Sequence, residues 1–388
     1  MMAGGVGKFS HLDNWCLVLL QFSMFSFIHE PWSMLPFNAF MNASATLCLF
    51  LLLISFTGNR RISLLLSLPF ILFPSALKWN TQFHNEIFSI PGMFFILFGF
   101  VIMSKEYKKP LSQKIINVII SILLIAIGSI LSILVRDYIF SGILYLCVIA
   151  GCGLGIHWLI QKIQQRLNIR EFYVQITLLM FTLFIMLLIS FAFKPSARLT
   201  KFVSLNAESD SLKMPSEEKW EASTWLPSSI DHQLGNLAQF RNRIVKPWAD
   251  GGSSIDLDIT FESAGEMFAY IPRSLQIAFL SPFPNIWFSA GKKVAGSAMR
   301  IVSAFEMLIA YFCLLGLPLF LWTNRRLPEV WLFVFICTSM LIVYAMIIPN
   351  QGALYRFRYP FYMPLICLGL AGLLSKFSKT SLLSPIKK

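Results

Sequence analysis

Ten long apolar runs, separated by polar stretches, divide this 388-residue chain. About 20 apolar residues in a helix cross a bilayer core of about 30 Å. Helix is required there because lipid offers no hydrogen-bond partner to unpaired backbone groups. Each run is therefore predicted to be a membrane crossing. The ten runs are 15–28, 35–56, 62–77, 87–103, 115–135, 139–160, 173–193, 301–322, 330–348 and 359–374.

Basic residues mark the ends of alternate crossings. Clusters follow the second, fourth, sixth, eighth and tenth runs, which is the pattern that positive-inside ordering produces. The chain is therefore predicted to cross a membrane with both termini cytoplasmic. The residues are Arg60, Arg61, Lys105, Lys108, Lys109, Lys114, Lys162, Arg166, Arg170, Arg325, Arg326, Lys376, Lys379, Lys387 and Lys388.

One large polar segment interrupts the apolar pattern. It covers residues 194–300 and is placed outside by the topology, between a membrane domain at 1–193 with helices 1–7 and a second at 301–388 with helices 8–10 and a cytoplasmic tail. The predicted fold class is an all-α polytopic membrane protein. It has about ten transmembrane helices and one large extracytoplasmic loop that contains short helical and extended segments.

Two patterns predict structure inside this loop. Residues 255–261 alternate apolar and polar side chains, which favours a strand or an extended segment. Ser263 and Glu266 have the spacing of a capping box, which predicts a helix near 267–278 that Pro272 bends or interrupts. Four tryptophans and a nearly neutral charge indicate that the loop is folded.

Composition supports the membrane assignment. The chain is 56% hydrophobic and 13% charged, whereas soluble domains carry about 25% charged residues. Soluble, disordered and fibrous classes are thereby excluded. Nearly all of the net charge of +13 lies in the presumed cytoplasmic segments, so no nucleic-acid partner is expected. The seven cysteines all lie in apolar runs and form no CxxC pair, so no metal, cofactor or disulfide framework is predicted.

Charged residues gather at the outward ends of the crossings. Arg356 and Arg358 precede the last crossing and Arg136 ends the fifth. A guanidinium there can hold a phosphate, although an interfacial anchor or an ion pair explains each equally well. Lys78, His84 and Glu86 share one outward hairpin, where they could supply charge and proton transfer or only solvate a turn.

Three further carboxylate sites are candidates. Glu306 lies inside the eighth crossing, where an ionisable group is functional by default unless it reaches water. Glu30, beside His29 on the first outward loop, could act as a base. Asp256 and Asp258 form a DxD pair, which binds metal in many sugar-transfer enzymes, but strand alternation alone also produces it.

Several short motifs together resemble bacterial multipass membrane proteins of surface-polysaccharide synthesis, in particular GT-C-like glycosyltransferases. The resemblance implies a place in the bacterial inner membrane, with membrane lipid as surroundings. It also implies transfer from an undecaprenyl-linked (polyprenyl-phosphate-linked) sugar at the outer face to a glycan acceptor. The motifs are Phe73-Pro74-Ser75-Ala76-Leu77-Lys78-Trp79, Arg136-Asp137-Tyr138, Tyr270-Ile271-Pro272-Arg273-Ser274, Ser281-Pro282-Phe283-Pro284 and 350–360.

The resemblance suggests roles for the candidates. The catalytic carboxylate or base would be Glu30, Glu86 or His84. The donor would be bound by Lys78, Arg136, Arg273, Glu306, Arg356 and Arg358. GT-C enzymes carry their catalytic carboxylate in a long first outward loop, whereas this chain has only residues 29–33 there, with Glu30 as the sole acid.

That departure leaves two alternatives. O-antigen polymerases are similar in length and crossings and have a large late periplasmic loop rich in arginine, where this chain has Arg241, Arg243 and Arg273. A lipid-linked sugar transporter without chemistry is the other. Flippases usually place charges at mid-depth and need no outer loop of about 100 residues, so transfer ranks above transport.

Overall fold

The computed structural model describes residues 35–80, 86–105, 111–164, 169–192, 220–248, 252–290 and 294–377. Within these ranges the chain is helical and contains only isolated β-bridges. The described residues contain six helical stretches that are long and apolar enough to cross a membrane, two of them within one continuous helix, or seven if one bent pair counts as a single span. The protein is therefore an all-α membrane protein.

The chain divides into two compact units. The first comprises residues 1–193, 323–333 and 377–388, and the second comprises 194–322 and 334–376. The described helices of the first half are α1 Leu35–Thr57, α2 Arg60–Leu72, α3 Pro74–Asn80, α4 Glu86–Lys105, α5 Leu111–Ile163 and α6 Ile169–Ala192.

A tight turn joins α1 to α2. Gly58 has a φ of 70°, a conformation that favours glycine because it has no Cβ. Asn59 then caps α2, since its side-chain oxygen accepts from the backbone N–H groups of Arg61 at 3.0 Å and Ile62 at 3.2 Å. Pro74 starts α3 directly after α2, so the predicted crossing at 62–77 is two helices instead of one.

Helices α4 and α5 pack closely at glycines. A methyl group at Gly128 of α5 would lie 2.5 Å from the carbonyl oxygen of Gly92 in α4, and one at Gly99 would lie 2.7 Å from Ile125. Small residues allow membrane helices to approach in this way and gain packing contacts. The second half of α5 packs against α6, where Gly151 faces Leu179.

The fifth and sixth predicted crossings each contain a stretch long and apolar enough to span a membrane, Ile115–Ile133 and Gly142–Ile160, but no turn separates them. Residues 115–135 and 139–160 belong to one continuous helix, α5, of 53 residues. The predicted outward turn at 136–138 does not interrupt it, because residues 129–141 contain neither proline nor glycine and a charged pair alone does not break helical hydrogen bonding. The first predicted crossing, 15–28, lies outside the described residues.

The second half of the chain holds the remaining described helices. Ser228–Trp248 is α7, Ala264–Ala269 is α8 and Ile271–Leu280 is α9, followed by a 3₁₀ turn at Pro284–Ile286. The apolar helices that follow are α10 Val294–Leu314, α11 Leu317–Thr323, α12 Pro328–Ile347, α13 Gln351–Phe357 and α14 Tyr359–Phe377. Helices α13 and α14 form the bent pair, with an angle of 70° between them.

Glycines also bring α10, α11 and α14 together. A methyl group at Gly369 of α14 would collide with the carbonyl of Cys313, and one at Gly372 with the carbonyl of Gly316. Gly316 lies in the break between α10 and α11. Close packing of α14 therefore depends on these three glycines.

The polar segment is folded where the structure describes it, at 220–248 and 252–290. The predicted N-cap is confirmed: Ser263 caps α8, and its side-chain oxygen accepts from the N–H of Glu266. The return bond of the predicted box is shifted by one residue, because the carboxylate of Glu266 accepts from the N–H of Glu262 at 2.8 Å. The predicted helix continues after a break at Tyr270 as α9, with Pro272 in its first turn, where proline is tolerated.

The predicted extended segment at 255–261 is wrong. Asp256 has a φ of 50°, a left-handed conformation that no strand contains. The backbone pairs with another part of the chain only at an isolated bridge, where the N–H of Ile255 donates to the carbonyl of Pro349 at 2.8 Å. Residues 255–261 therefore form an irregular loop.

Candidate functional site

The carboxylate of Asp256 accepts three hydrogen bonds in the 220–290 region. Its Oδ2 accepts from Nε of Arg273 at 2.9 Å and from the hydroxyl of Tyr270 at 2.7 Å. Its Oδ1 accepts from Nη2 of Arg273 at 3.0 Å. The guanidinium and the carboxylate thus form a two-bond fork, the strongest and most directional form of this ion pair.

Helix α9 positions Arg273. The residue lies in the first turn of α9, and its guanidinium stacks over the ring of Phe283 at 5.4 Å. The side chain of Arg273 is 41% exposed, whereas that of Asp256 is 15% exposed. The Asp256 side of the ion pair is therefore anchored in the fold, and the Arg273 side reaches solvent.

A second arginine, Arg241 on α7, holds the loop that carries Asp256. Its guanidinium donates to the carbonyls of Asp256 at 2.7 Å, Ile259 at 3.1 Å and Met346 at 2.7 Å. Arg241 is 1% exposed and lies against the rings of Phe261 and Tyr270. These bonds fix the left-handed turn at Asp256, so Arg241 acts within the fold and is closed to a ligand.

The electrostatics of this group follow from its hydrogen bonds. The bonds from Arg273 lower the pKa of Asp256, which keeps its carboxylate charged, and those same bonds raise the pKa of Arg273. Burial, together with the bond to Asp256, raises the pKa of Tyr270. We refer to Arg241, Asp256, Tyr270 and Arg273 as the Asp256 cluster.

Arg358, at the bend between α13 and α14, is buried with 1% exposure. Its Nη1 donates to the carbonyl of Ala278 at 2.7 Å, and its Nη2 lies 3.2 Å from the sulfur of Met307. Its guanidinium also faces the ring of Tyr362 at 4.3 Å. The guanidinium predicted to face an external phosphate instead points into the protein.

Arg358 belongs to a set of donors that completes the end of α9. The last four carbonyls of a helix have no partner within the helix. Here Ile277 accepts from the N–H of Ser281 at 3.1 Å and Ala278 accepts from Arg358. Phe279 accepts from the hydroxyl of Tyr362 at 2.8 Å and Leu280 from that of Tyr311. The negative end of the helix dipole also stabilises a cation at this position.

Glu306 is buried in α10 with 3% exposure. Its Oε2 accepts from the hydroxyl of Tyr355 in α13 at 2.6 Å. The carboxylate predicted to be a functional intramembrane group therefore links two apolar helices. In the described conformation this contact gives it a packing role.

The other predicted site residues are separate from the Asp256 cluster or are not described. Lys78 is exposed in the last turn of α3, and Glu86 is buried at the start of α4, where a carboxylate favours the helix dipole. Arg356 is half-buried, with its guanidinium over the ring of Phe357 at 5.2 Å. The backbone of Arg136 is helical, whereas Glu30 and His84 lie outside the described residues.

Sequence reasoning found Arg273 and missed the group around it. The DxD pattern offers Asp256 as a metal ligand or as a product of strand alternation, and Tyr270 enters only as part of the motif at 270–274. Fourteen residues separate Asp256 from Tyr270 and seventeen separate it from Arg273, so no local pattern reveals the contacts. Among the described residues, no three His, Cys, Asp or Glu side chains are arranged to hold a metal.

Comparison with known proteins gives no relative. No family model matches the chain, and no match is found among curated proteins or solved structures. Any functional conclusion therefore depends on the residues themselves.

Proposed function

We propose that the protein is a membrane glycosyltransferase that takes a sugar from a polyprenyl-phosphate-linked donor, with Arg273 contacting the donor phosphate at the outer face of a bacterial inner membrane. The observation that carries the proposal is the geometry of Arg273. Its guanidinium is partly exposed and is fixed in orientation by the two-bond contact with Asp256.

The donor capacity of Arg273 supports this role. A guanidinium has five N–H groups. Two are directed to Asp256, and a third is directed to Gln276 at 3.3 Å. The two that remain are available to the oxygens of a phosphate. A preorganised cation of this kind stabilises the charge that develops on a phosphate leaving group.

Asp256 serves in this proposal as the group that orients Arg273. A general base works best with a pKa near the working pH, whereas the bonds from Arg273 lower the pKa of Asp256. Asp256 is therefore poorly suited to remove a proton from an acceptor hydroxyl. Asp256 instead holds the guanidinium of Arg273 in one orientation.

The polymerase alternative uses the same contact. Of the three arginines that the polymerase resemblance pointed to, Arg241 is closed off by backbone carbonyls and the side chain of Arg243 is not described. Arg273 thus carries the phosphate contact in either reaction. Product length separates the two, since a transferase adds one sugar and a polymerase yields a ladder.

The proposal is tested with purified protein, a polyprenyl-phosphate-linked sugar and a glycan acceptor. Arg273→Gln should lower kcat/KM by about 100-fold, because a buried or half-buried charge-assisted contact in the transition state contributes about 2.7–4 kcal/mol. Arg273→Lys should recover only part of the rate, since it keeps the charge and loses the fork.

Arg326→Ala is the matched control, because Arg326 is an exposed arginine outside the Asp256 cluster. It should transfer sugar at the wild-type rate. Transfer at the wild-type rate by Arg273→Gln, in protein with unchanged thermal stability, would show that Arg273 is only a structural ion-pair partner.

A further inference from the structure

Two aromatic side chains stand side by side on the surface of the 220–290 region. Trp225 is 63% exposed and Phe268 is 45% exposed. Their ring centroids are 5.6 Å apart and the planes are tilted by 52°. Neither residue belongs to the Asp256 cluster. We call this pair the Trp225–Phe268 platform.

The backbone that presents Trp225 is fixed from below. The carboxylate of Asp231 accepts from Nε1 of Trp220 at 2.9 Å and from the N–H of Ser223 at 3.1 Å. The ring of Trp220 packs so closely on Gly235 that an added methyl group would lie 3.2 Å from it. A ligand therefore meets a preorganised surface and has less ordering entropy to overcome.

Phe268 is held in the same way. It lies on α8, which Ser263 caps, and the start of α8 is tied to the Trp225 segment by the bond from the N–H of Glu221 to the carbonyl of Glu262 at 2.8 Å. The two rings are thus carried by segments that are bonded to each other.

Exposed carboxylates lie on the same chain segments as the two rings. Glu221, Glu262 and Glu266 are all exposed, and Glu266 bonds the N–H of Glu262 at 2.8 Å. Exposed carboxylates accept hydrogen bonds from hydroxyl and ammonium groups. They also repel phosphates and anionic lipid headgroups. The charge therefore disfavours an anionic membrane surface as the occupant.

The size of the platform disfavours a protein partner. A Trp and a Phe of these exposures offer roughly 250 Å² of ring surface, whereas a stable protein interface covers about 800 Å² on each partner. A pyranose ring fits the area and the chemistry, because it has an apolar C–H face and a rim of hydroxyl donors.

We propose that the Trp225–Phe268 platform binds one or two pyranose rings of a neutral or amine-bearing glycan. The rings stack on the sugar face, and the neighbouring carboxylates accept from its hydroxyl or ammonium groups. The binding stands apart from the proposed transfer reaction. If that reaction also holds, the glycan bound here is its acceptor.

The test uses full-length protein in nanodiscs with two probes, cellohexaose and the glucosamine hexamer. Saturation-transfer NMR should show contact at the ring C–H protons of at least one probe. Trp225→Ala should weaken its binding by about tenfold or more, and Trp225→Phe by less. Phe288→Ala is the control, because Phe288 is an aromatic residue with 77% exposure in the same region, and its loss should leave binding unchanged.

Three results would overturn the proposal: no signal from either probe, equal binding by wild type and Trp225→Ala, or quenching of Trp225 fluorescence by headgroup-labelled lipid without competition from glycan. The last result would identify an interfacial anchor. Arg273→Gln should retain glycan binding while losing transfer, so a failure of the platform and a failure of the proposed reaction are distinguishable.

Discussion

At the scale of single residues, buried arginines are the least expected feature of this protein. Arg241 and Arg358 are each 1% exposed, although arginine is almost never fully buried unless it is paired. Both direct their guanidinium groups at backbone carbonyls. These two arginines hold loops and helix ends together, whereas the partly exposed Arg273 is the arginine that we propose for the phosphate contact.

Removing Arg358 should destabilise the protein. Arg358→Met leaves the carbonyl of Ala278 buried without its donor, and an unsatisfied buried polar group costs about 1–3 kcal/mol. The thermal midpoint in detergent should fall, and Arg358→Lys should fall less because it keeps a donor and the charge near the helix end. An unchanged midpoint for Arg358→Met, with Arg326→Ala as reference, would contradict this role.

Acid should loosen the Asp256 cluster. The native pKa of Asp256 is lowered by Arg273, so its stabilising contribution is present above the unfolded-state pKa of about 3.9. That contribution is lost as pH falls through the lower native pKa. Asp231 behaves in the same direction, because the bond from Trp220 lowers its pKa.

Hydrogen exchange of peptides from residues 252–280 between pH 5 and pH 2 measures this effect. Protection should decrease toward the acid end in the wild type. Asp256→Asn should already be less protected at pH 5 and should show a smaller acid-dependent decrease. Equal pH dependence in both proteins would mean that Asp256 does not control the loop.

At the scale of helices, α5 contains glycines in two different surroundings, one in a close helix contact and one facing open space. Gly128 and Gly153 both lie in α5, but a methyl group meets Gly92 at 2.5 Å at the first position and nothing within 4 Å at the second. At an exposed helical position, a helix with alanine is more stable than one with glycine by about 0.5–1 kcal/mol.

Gly128→Ala should therefore destabilise the protein and Gly153→Ala should stabilise it slightly. Overpacking of a close helix contact costs about 1–3 kcal/mol, which outweighs the helix propensity gained at Gly128. Thermal midpoints of the two variants in the same detergent test the sign. If the thermal midpoints of both variants rise, α4 and α5 are free to separate.

The helices were largely predictable from sequence, and the contacts were not. Apolar runs found α1, α4 and α12 because a single local pattern decides a membrane helix, and Ser263 found the start of α8. The predicted strand or extended segment at 255–261 does not form, because the long-range bonds from Arg241 impose the turn at Asp256. Arg358 was placed outside because nothing near it in sequence shows that α9 ends against it.

At the scale of the whole molecule, the bent pair α13 and α14 determines on which side of the membrane the C-terminal tail lies. The pair is either a broken span or a re-entrant loop. Helix α14 has 19 residues and is about 28 Å long at 1.5 Å per residue, which is close to the bilayer core of about 30 Å. The two helices are long and apolar enough to span only when they are taken together, and the length of α14 favours a broken crossing over a re-entrant loop.

Reporter fusions at Ala207 and Lys388 test that conclusion. Three crossings between them, formed by α10 with α11, α12 and α14, should place Ala207 outside and Lys388 in the cytoplasm, where the terminal lysines satisfy the positive-inside rule. Fusions after Arg326 should report the cytoplasm as an internal reference. If Ala207 and Lys388 report the same compartment, α13 and α14 re-enter the membrane without crossing. Arg358 would then hold the tip of a re-entrant loop against α9.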